Sequence, residues 1–233
     1  MRVLWIFAHQ DDEIAAAPRM LEQLRRGESV RCVFLCGRER RDAESRAALA
    51  SLGITDVTFL AFPDGRVVEH LGEIAIDGEA DEVGCLAYEG GHQDHDAAHL
   101  FAVAFARARG IDAYEVPLYN GAGFPFRVMH PIGDGWTCKS IALRDAWRTI
   151  ALVRFHKSQR RTWLGLLPEA FVKLVLLRRA YARRVERMVE IERPFYERRF
   201  KFPRERFRAA AAEFLARHFA DAPPSPGEGS RRR

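Results

Sequence analysis

The sequence predicts an α/β fold: a Rossmann-like, mostly parallel sheet of about five strands flanked by helices, with a helical C-terminal extension. Three observations predict it. The chain opens on an unbroken apolar run, Val3-Leu4-Trp5-Ile6-Phe7-Ala8, the pattern of a strand buried on both faces of a parallel sheet. Strand-like runs then alternate with helix-period segments, which requires parallel strands joined by right-handed crossovers. Beyond Lys139 the strand-like runs stop and helical spacing takes over, with breaks at Pro168, Pro194 and Pro203.

Each element follows from its own residues. The first strand delivers His9-Gln10-Asp11-Asp12-Glu13. Residues Ile14 to Arg26 carry Ile14, Ala17, Leu21 and Leu24 at helical spacing, with Gly27 as the C-cap. Val30 to Cys36 is the second strand. Arg40 to Leu52 is a helix closed by Gly53, and Val57 to Phe62 is a third strand leading into the turn Pro63-Asp64-Gly65. Residues 66–80 give no clear element, because Gly72 and Asp77-Gly78 interrupt any helix. Asp81 to Tyr88 is the fourth strand and ends in Glu89-Gly90-Gly91-His92-Gln93-Asp94-His95; a helix from Asp96 to Arg109 and a fifth strand, Ala113 to Leu118, follow. The expected organisation is an α/β core over 1–160, a helical region packed on it over 161–220, and a disordered tail over 221–233, where Pro223-Pro224-Ser225-Pro226-Gly227 precedes an arginine triplet.

With 233 residues and 48% hydrophobic content, the chain can bury one substantial core and is short for two domains. Cys32, Cys36, Cys85 and Cys138 show no Cys-x-x-Cys spacing and read as buried free thiols. The six-residue apolar run before His9 lacks the h-region and cleavage site of a signal peptide, so the cytoplasm is the expected location.

The net charge of +5 conceals an asymmetry: residues 1–138 carry 13 Lys+Arg against 22 Asp+Glu, and residues 139–233 carry 24 against 10. A basic half of this kind suits an anionic partner. Arg178, Arg179, Arg183, Arg184 and Arg187 flank the apolar stretch Trp163 to Leu177, which Pro168, Glu169 and Lys173 interrupt and which is shorter than the ~20 residues a membrane span needs. A helix with one apolar face and such a flank can lie in an interface without spanning it. Peripheral association with an anionic membrane, at its inner face, therefore competes with simple packing of the stretch on the sheet. No nucleic-acid partner is expected, and nothing in the sequence sets the oligomeric state.

The chemistry sits at the ends of two strands. In open α/β sheets, ligands bind outside the carboxyl ends of the strands, where one imidazole and three carboxylates crowd into residues 9–13. Crowded carboxylates repel one another, so a cation belongs there. Adjacent Asp11 and Asp12 point different ways, and one can bind a cation while the other faces the water it holds. His92 and His95, three residues apart, can face the same cavity. If strands one and four are neighbours, one carboxylate and two imidazoles form a three-ligand site with open positions, as in catalytic zinc centres. Such a zinc brings the pKa of bound water near 7 and polarises a carbonyl.

Ala8-His9-Gln10-Asp11-Asp12-Glu13 and His92-Gln93-Asp94-His95 resemble the paired motifs of the PIG-L/LmbE-like family of zinc-dependent N-deacetylases. The resemblance implies that His9, Asp12 and His95 hold zinc, with iron able to take the same site in cells. It implies Asp11 as general base, His92 as the group that stabilises the tetrahedral intermediate, and Asp94 as the carboxylate that orients a histidine. Arg41-x-x-Glu44 with Ala47-Ala48 and Leu52-Gly53, and Phe62-Pro63-Asp64-Gly65, resemble the family's substrate-side segments, so Arg41 and Asp64 are its substrate-binding candidates. Lys139, Ala142-Leu143 and Ser158-Gln159 extend the likeness to about residue 160. The implied reaction removes an N-acetyl group from an N-acetylglucosamine unit carried on a lipid, glycan, inositol or antibiotic.

The chain departs from the family pattern in three places. Gln10 and Gln93 replace prolines, which loosens the turns and touches no ligand. Gly90 stands where some members have a tyrosine, leaving Tyr88 and Tyr119 as substitutes. His99 makes a His-x-x-x-His pair with His95 but has no family counterpart and reads as a partly buried helix residue; Glu13 supports the first helix near its N-terminus, and His70, His130, His156 and His218 receive no role. A phosphoreceiver-like module would need a lysine at the end of the fifth strand, and Ala113 to Leu118 has none. A dinucleotide binder would need Gly-x-Gly-x-x-Gly after the first strand, also absent. A sugar-binding relic without turnover is the remaining alternative.

Overall fold

The computed structural model describes residues 1–123, 126–185, 191 and 193–219. The first strand β1 (Arg2–Phe7) is buried from Val3 onward and lies inside the sheet, as its unbroken apolar run requires. It pairs in parallel with β2 (Ser29–Cys36) on one side, from Val3↔Val30 to Phe7↔Phe34, and with β4 (Glu82–Leu86) on the other, from Val3↔Glu82 to Ile6↔Cys85. Strand β3 (Asp56–Phe62) extends the sheet beyond β2, and β5 (Asp112–Val116) extends it beyond β4, all in parallel. The five parallel strands expected from the sequence are present.

Alternation along the strands divides the core between two faces. Leu4, Ile6, Val33, Leu35, Val83 and Cys85 point to the face covered by α3 (Gln93–Arg109), the 3-10 turn Val67–Glu73 and α7 (Arg204–Phe219). Val3, Trp5, Phe7, Cys32 and Phe34 point to the other, covered by α1 (Glu13–Arg25), α2 (Glu39–Leu52), α4 (Leu143–Ala151) and α5 (Arg160–Phe171). Trp5 is fully buried, and a Cβ at Gly84 on the neighbouring strand would stand 2.5 Å from its ring, so β4 needs a glycine there.

The C-terminal half corrects the sequence expectation. Strand formation does not stop at Lys139: the full sheet has seven strands in the order β3-β2-β1-β4-β5-β9-β8, with β9 (Arg179–Arg184) antiparallel to β5 and β8 (Thr137–Ser140) antiparallel to β9. The arginine-rich segment read as the flank of a helix is thus a strand. Its alternation serves the sheet: Arg183 Nε donates to the buried Glu115 at 2.7 Å, and Arg184 pairs with Asp112. The region beyond residue 160 thus contributes a strand to the sheet as well as helices packed on it. Two residues each of β6 (Tyr119–Asn120) and β7 (Arg127–Val128) form a small separate pairing.

The apolar stretch Trp163 to Leu177 divides between α5 and a π-helical turn, Val172–Leu176, and buries Trp163, Leu166, Ala170 and Leu174 against the sheet. Among the described residues no helix is long and apolar enough to cross a membrane. A short helix, α6 (Phe195–Arg199), precedes α7. Cys32, Cys36 and Cys85 are buried free thiols as expected, but Cys138 is exposed because β8 is an edge strand. Arg187 and the tail 221–233 lie outside the described residues.

Candidate active site

Because β1 and β4 are neighbours, the turns that follow them meet at one end of the sheet. Asp12, at the N-terminus of α1, accepts hydrogen bonds through Oδ2 from the backbone N–H groups of Ala8 (3.1 Å) and His9 (2.8 Å). This clamp turns Oδ1 toward His95, whose Nε2 lies 3.1 Å away. His95 stands in the first turn of α3, which begins at Gln93 rather than at Asp96. Its Nε2 also lies 3.1 Å from Nδ1 of His9. The opposite ring nitrogen of His9, Nε2, faces Asp94 at 3.0 Å and Asp64 at 3.2 Å. Two carboxylates there make Nε2 the protonated nitrogen of the neutral ring, leaving the lone pair of Nδ1 toward His95. Burial opposes a charge on His9, but hydrogen bonds to Asp64 and Asp94 outweigh it and hold its pKa well above the ordinary value, so in the protein alone Nδ1 also carries a proton, and its lone pair becomes available when a cation displaces that proton.

The donor set fits a divalent cation. Two nitrogens bound at ~2.0–2.1 Å to one tetrahedral ion stand ~3.3 Å apart, close to the spacing of His9 Nδ1 and His95 Nε2. Ligand atoms of His9, His92 and His95 lie within 4.8 Å of one another, as do those of His9, Asp64, His92 and Asp94. Hydrogen bonding separates these groups. Nδ1 of His92 accepts the N–H of Asp94 (3.1 Å), which places the proton of the neutral ring on Nε2 and makes that nitrogen a donor. Burial, then the neighbouring His9 and His95, holds the His92 pKa well below the ordinary value, so the neutral form is favoured. Asp94 already accepts from Val67 N (3.0 Å), Gly65 N and His9, and Asp64 faces Arg41 and Arg38. His95 Nε2 thus stands between His9 Nδ1 and Asp12 Oδ1, at 3.1 Å from each, while Asp12 lies outside both groups of ligand atoms gathered within 4.8 Å.

Asp11 faces the same space from a backbone φ of +108°, well outside the usual range of a residue with a side chain. Three contacts hold it. Its N–H donates to Glu13 Oε2 (2.8 Å), the indole Nε1 of Trp163 donates to Oδ2 (2.9 Å), and Arg41 Nη2 approaches Oδ1 at 3.4 Å. Burial and the adjacent Asp12 push the Asp11 carboxyl up to about 6, with Arg41 and His156 pulling the other way. Glu13 is fully buried and gains Ser45 Oγ (2.9 Å) and His156 Nε2 (3.0 Å) on its second oxygen.

The structure places Arg41 as a bridge from Asp11 to Asp64, and its Nη2 also donates to the carbonyl of Gln10 (2.9 Å). Gln10 and Gln93 do not loosen their turns. Gln10 Nε2 donates to Cys36 O (2.9 Å) and to Asp42, and Gln93 Nε2 to Gly65 O (3.4 Å), so side-chain amides tie turns that lack prolines. Of the two tyrosines, Tyr119 stands at the site, its ring 5.5 Å from that of His95, while Tyr88 packs on His99 and Phe207. Gly91 permits this approach, since a Cβ there would stand 2.1 Å from Tyr119 O. His99 is fully buried, with Nδ1 3.0 Å from Leu86 O and 3.3 Å from Glu115, away from the cluster. Sequence reasoning missed Trp163, Ser45 and His156. Ser45 sits on the helix of Arg41, one turn on, which is a signal that could have found it; Trp163 lay in a stretch that reads simply as apolar.

Residues 4–106 match the family described as PIG-L: GlcNAc-PI de-N-acetylase. No curated protein matches the chain. Among solved structures, the deacetylase of the teicoplanin biosynthesis pathway superposes with a TM-score of 0.61 at 14% identity, covering 80% of this chain and 99% of that one. The N,N'-diacetylchitobiose deacetylase from Pyrococcus horikoshii gives 0.50 at 16% identity, covering 74% and 77%. The 4-carboxy-2-hydroxymuconate hydratase GalB from Pseudomonas putida KT2440 gives 0.52 at 15% identity, covering 82% and 99%. Likeness at this identity is a likeness of fold, and a hydratase shares that fold with deacetylases. The reaction must be argued from the site.

Proposed function

The chain carries a PIG-L-type domain in an LmbE-like fold, and from that premise we propose that it is a metal-dependent hydrolase removing an N-acetyl group from an N-acetylglucosamine-type conjugate. The observation that carries this reading is the pairing of a donor set, His9, Asp12 and His95, with a separately held carboxylate, Asp11. Two imidazoles and one carboxylate suit zinc, and ferrous iron accepts the same donors. A cation held there supplies Lewis acidity, activating water and polarising the amide carbonyl.

The chain's own residues do the rest. Asp11 takes the proton of the attacking water on the oxygen not held by Trp163, and its elevated pKa of about 6 keeps it basic enough for the transfer. His92 donates from Nε2 to the oxygen that gains charge as the carbonyl carbon becomes tetrahedral. Asp11 then returns the proton to the leaving nitrogen, so one water and one amide yield acetate and a free amine. Asp94 and Asp64 fix the orientation of His9. Arg41 and Asp64, paired with each other beside Asp11, would meet the sugar hydroxyls. Acetate release from a panel of N-acetylamino-sugar conjugates, with the metal-loaded protein, tests the proposal. Binding of the sugars without acetate release from any of them would instead support a non-catalytic binder.

A further inference from the structure

We propose that the face formed by α4, α5 and the turn after α5 docks on an anionic lipid bilayer. Eight large apolar side chains are exposed among the described residues, and six of them, Leu143, Trp147, Leu164, Val172, Leu176 and Leu177, lie within residues 143–177. Leu164 is 73% exposed, Leu176 64% and Trp147 50%. They belong to elements packed on one another, for α4 contacts both α5 and the turn Val172–Leu176, and the Trp147 ring meets that of Phe171 at 5.7 Å. Apolar groups gathered on one face, rather than scattered singly, mark an interaction surface.

Charge selects the occupant. Residues 143–179 contain nine lysines and arginines against two acids, Asp145 and Glu169. Both acids are engaged: Asp145 is buried against Arg25, and Glu169 accepts from Val128 N at 2.9 Å. Among the described residues, Arg154, Lys157, Arg160, Arg161, Arg178 and Arg179 pair with no carboxylate. Beside Trp147, a groove of about 540 Å³ is lined by Arg144, Arg148, Arg154 and Phe155 and runs to Ser51 at the end of α2. Three arginines lining one groove suit a phosphate headgroup. Exposed apolar anchors, a tryptophan, and surrounding unpaired cations are what an interfacial face on an anionic leaflet requires. An acidic protein surface would satisfy the cations but not six apolar side chains, and a second copy of the chain would bring the same positive charge against itself.

The test uses the full chain and vesicles of phosphatidylcholine with and without phosphatidylglycerol, at low and high salt. Binding to the anionic vesicles alone, lost at high salt where the Debye length falls to ~3 Å at 1 M, is expected. A blue shift of tryptophan emission should accompany it and be absent from Trp147→Ser. Trp147→Ser with Leu176→Ser, and separately Arg154→Glu with Arg179→Glu, should each weaken binding about tenfold or more while the melting temperature stays unchanged. Equal or negligible binding to both vesicle types overturns the proposal, as does undiminished binding by both double variants. A concentration-dependent dimer that Trp147→Ser dissociates, without vesicle binding, would assign the face to self-association instead.

Discussion

Asp11 holds its φ of +108° through three contacts from three parts of the chain: its backbone N–H donates to Glu13, and Trp163 and Arg41 donate to its carboxylate. Strain of this kind persists where surroundings over-determine it, and it gathers at functional positions. Asp11→Asn removes the proton acceptor while leaving the proposed ligands in place; metal content should hold and kcat should fall ~100- to 10,000-fold. The base must be ionised, so activity is lost as pH falls through its pKa, about 6 in the protein alone and lower beside a bound cation. Trp163→Phe removes a hydrogen bond to the charged form, raises that pKa, and should move the acid limb of kcat/KM upward; an unmoved limb would deny the indole this part. For the ion, His95→Ala should abolish metal stoichiometry and His99→Ala should preserve it, and the reverse result would overturn the assignment. The meeting of the His9–Glu13 and His92–His95 turns at one end of the sheet was legible because two short motifs follow neighbouring strands. Trp163 was not, since its partner lies 152 residues away and nothing local distinguishes it from a core tryptophan.

At the scale of elements, the five parallel strands were legible because burial on both faces writes an apolar run into each of them. The two antiparallel strands were not. Arg179-Ala180-Tyr181-Ala182-Arg183-Arg184 has strand alternation, but it is short, part-exposed and arginine-rich, so its charge dominates any reading. What makes it a strand is distant: Glu115 on β5 is fully buried and needs a cation, and Arg183 brings one. The side chains of that pair are 13% and 1% exposed, against 58% and 43% for Arg184 and Asp112. Arg183→Ala removes the arginine from a buried carboxylate, leaving only His99 at 3.3 Å beside it, and should destabilise by about 3–5 kcal/mol. Arg184→Ala should cost at most about 1 kcal/mol, as exposed pairs do. Urea denaturation of both variants measures the difference; equal losses would show that β9 is not held through Glu115.

For the molecule as a whole, the charge division between halves is real but its use differs from a basic helix. Arg183 and Arg184 serve the sheet, and the unpaired cations stand nearer residues 154–179. A chain ending at residue 160 lacks β9 and Trp163, so it should fail to unfold cooperatively and should release no acetate; a stable, active truncation would support the boundary that the sequence suggests. The same closure has a consequence for synthesis. Strand β5 ends at Val116, but its outer partner is finished only at Arg184, 68 residues later. At ribosomal rates of ~5–20 residues per second, roughly 3–14 s pass in which a nascent sheet presents an open edge and a Glu115 without its arginine. Bare edges recruit other strands. Production of this protein in a heterologous host therefore depends on what shields that edge during translation, and holdase chaperones should raise the yield of full-length protein more than slower growth or lower temperature alone.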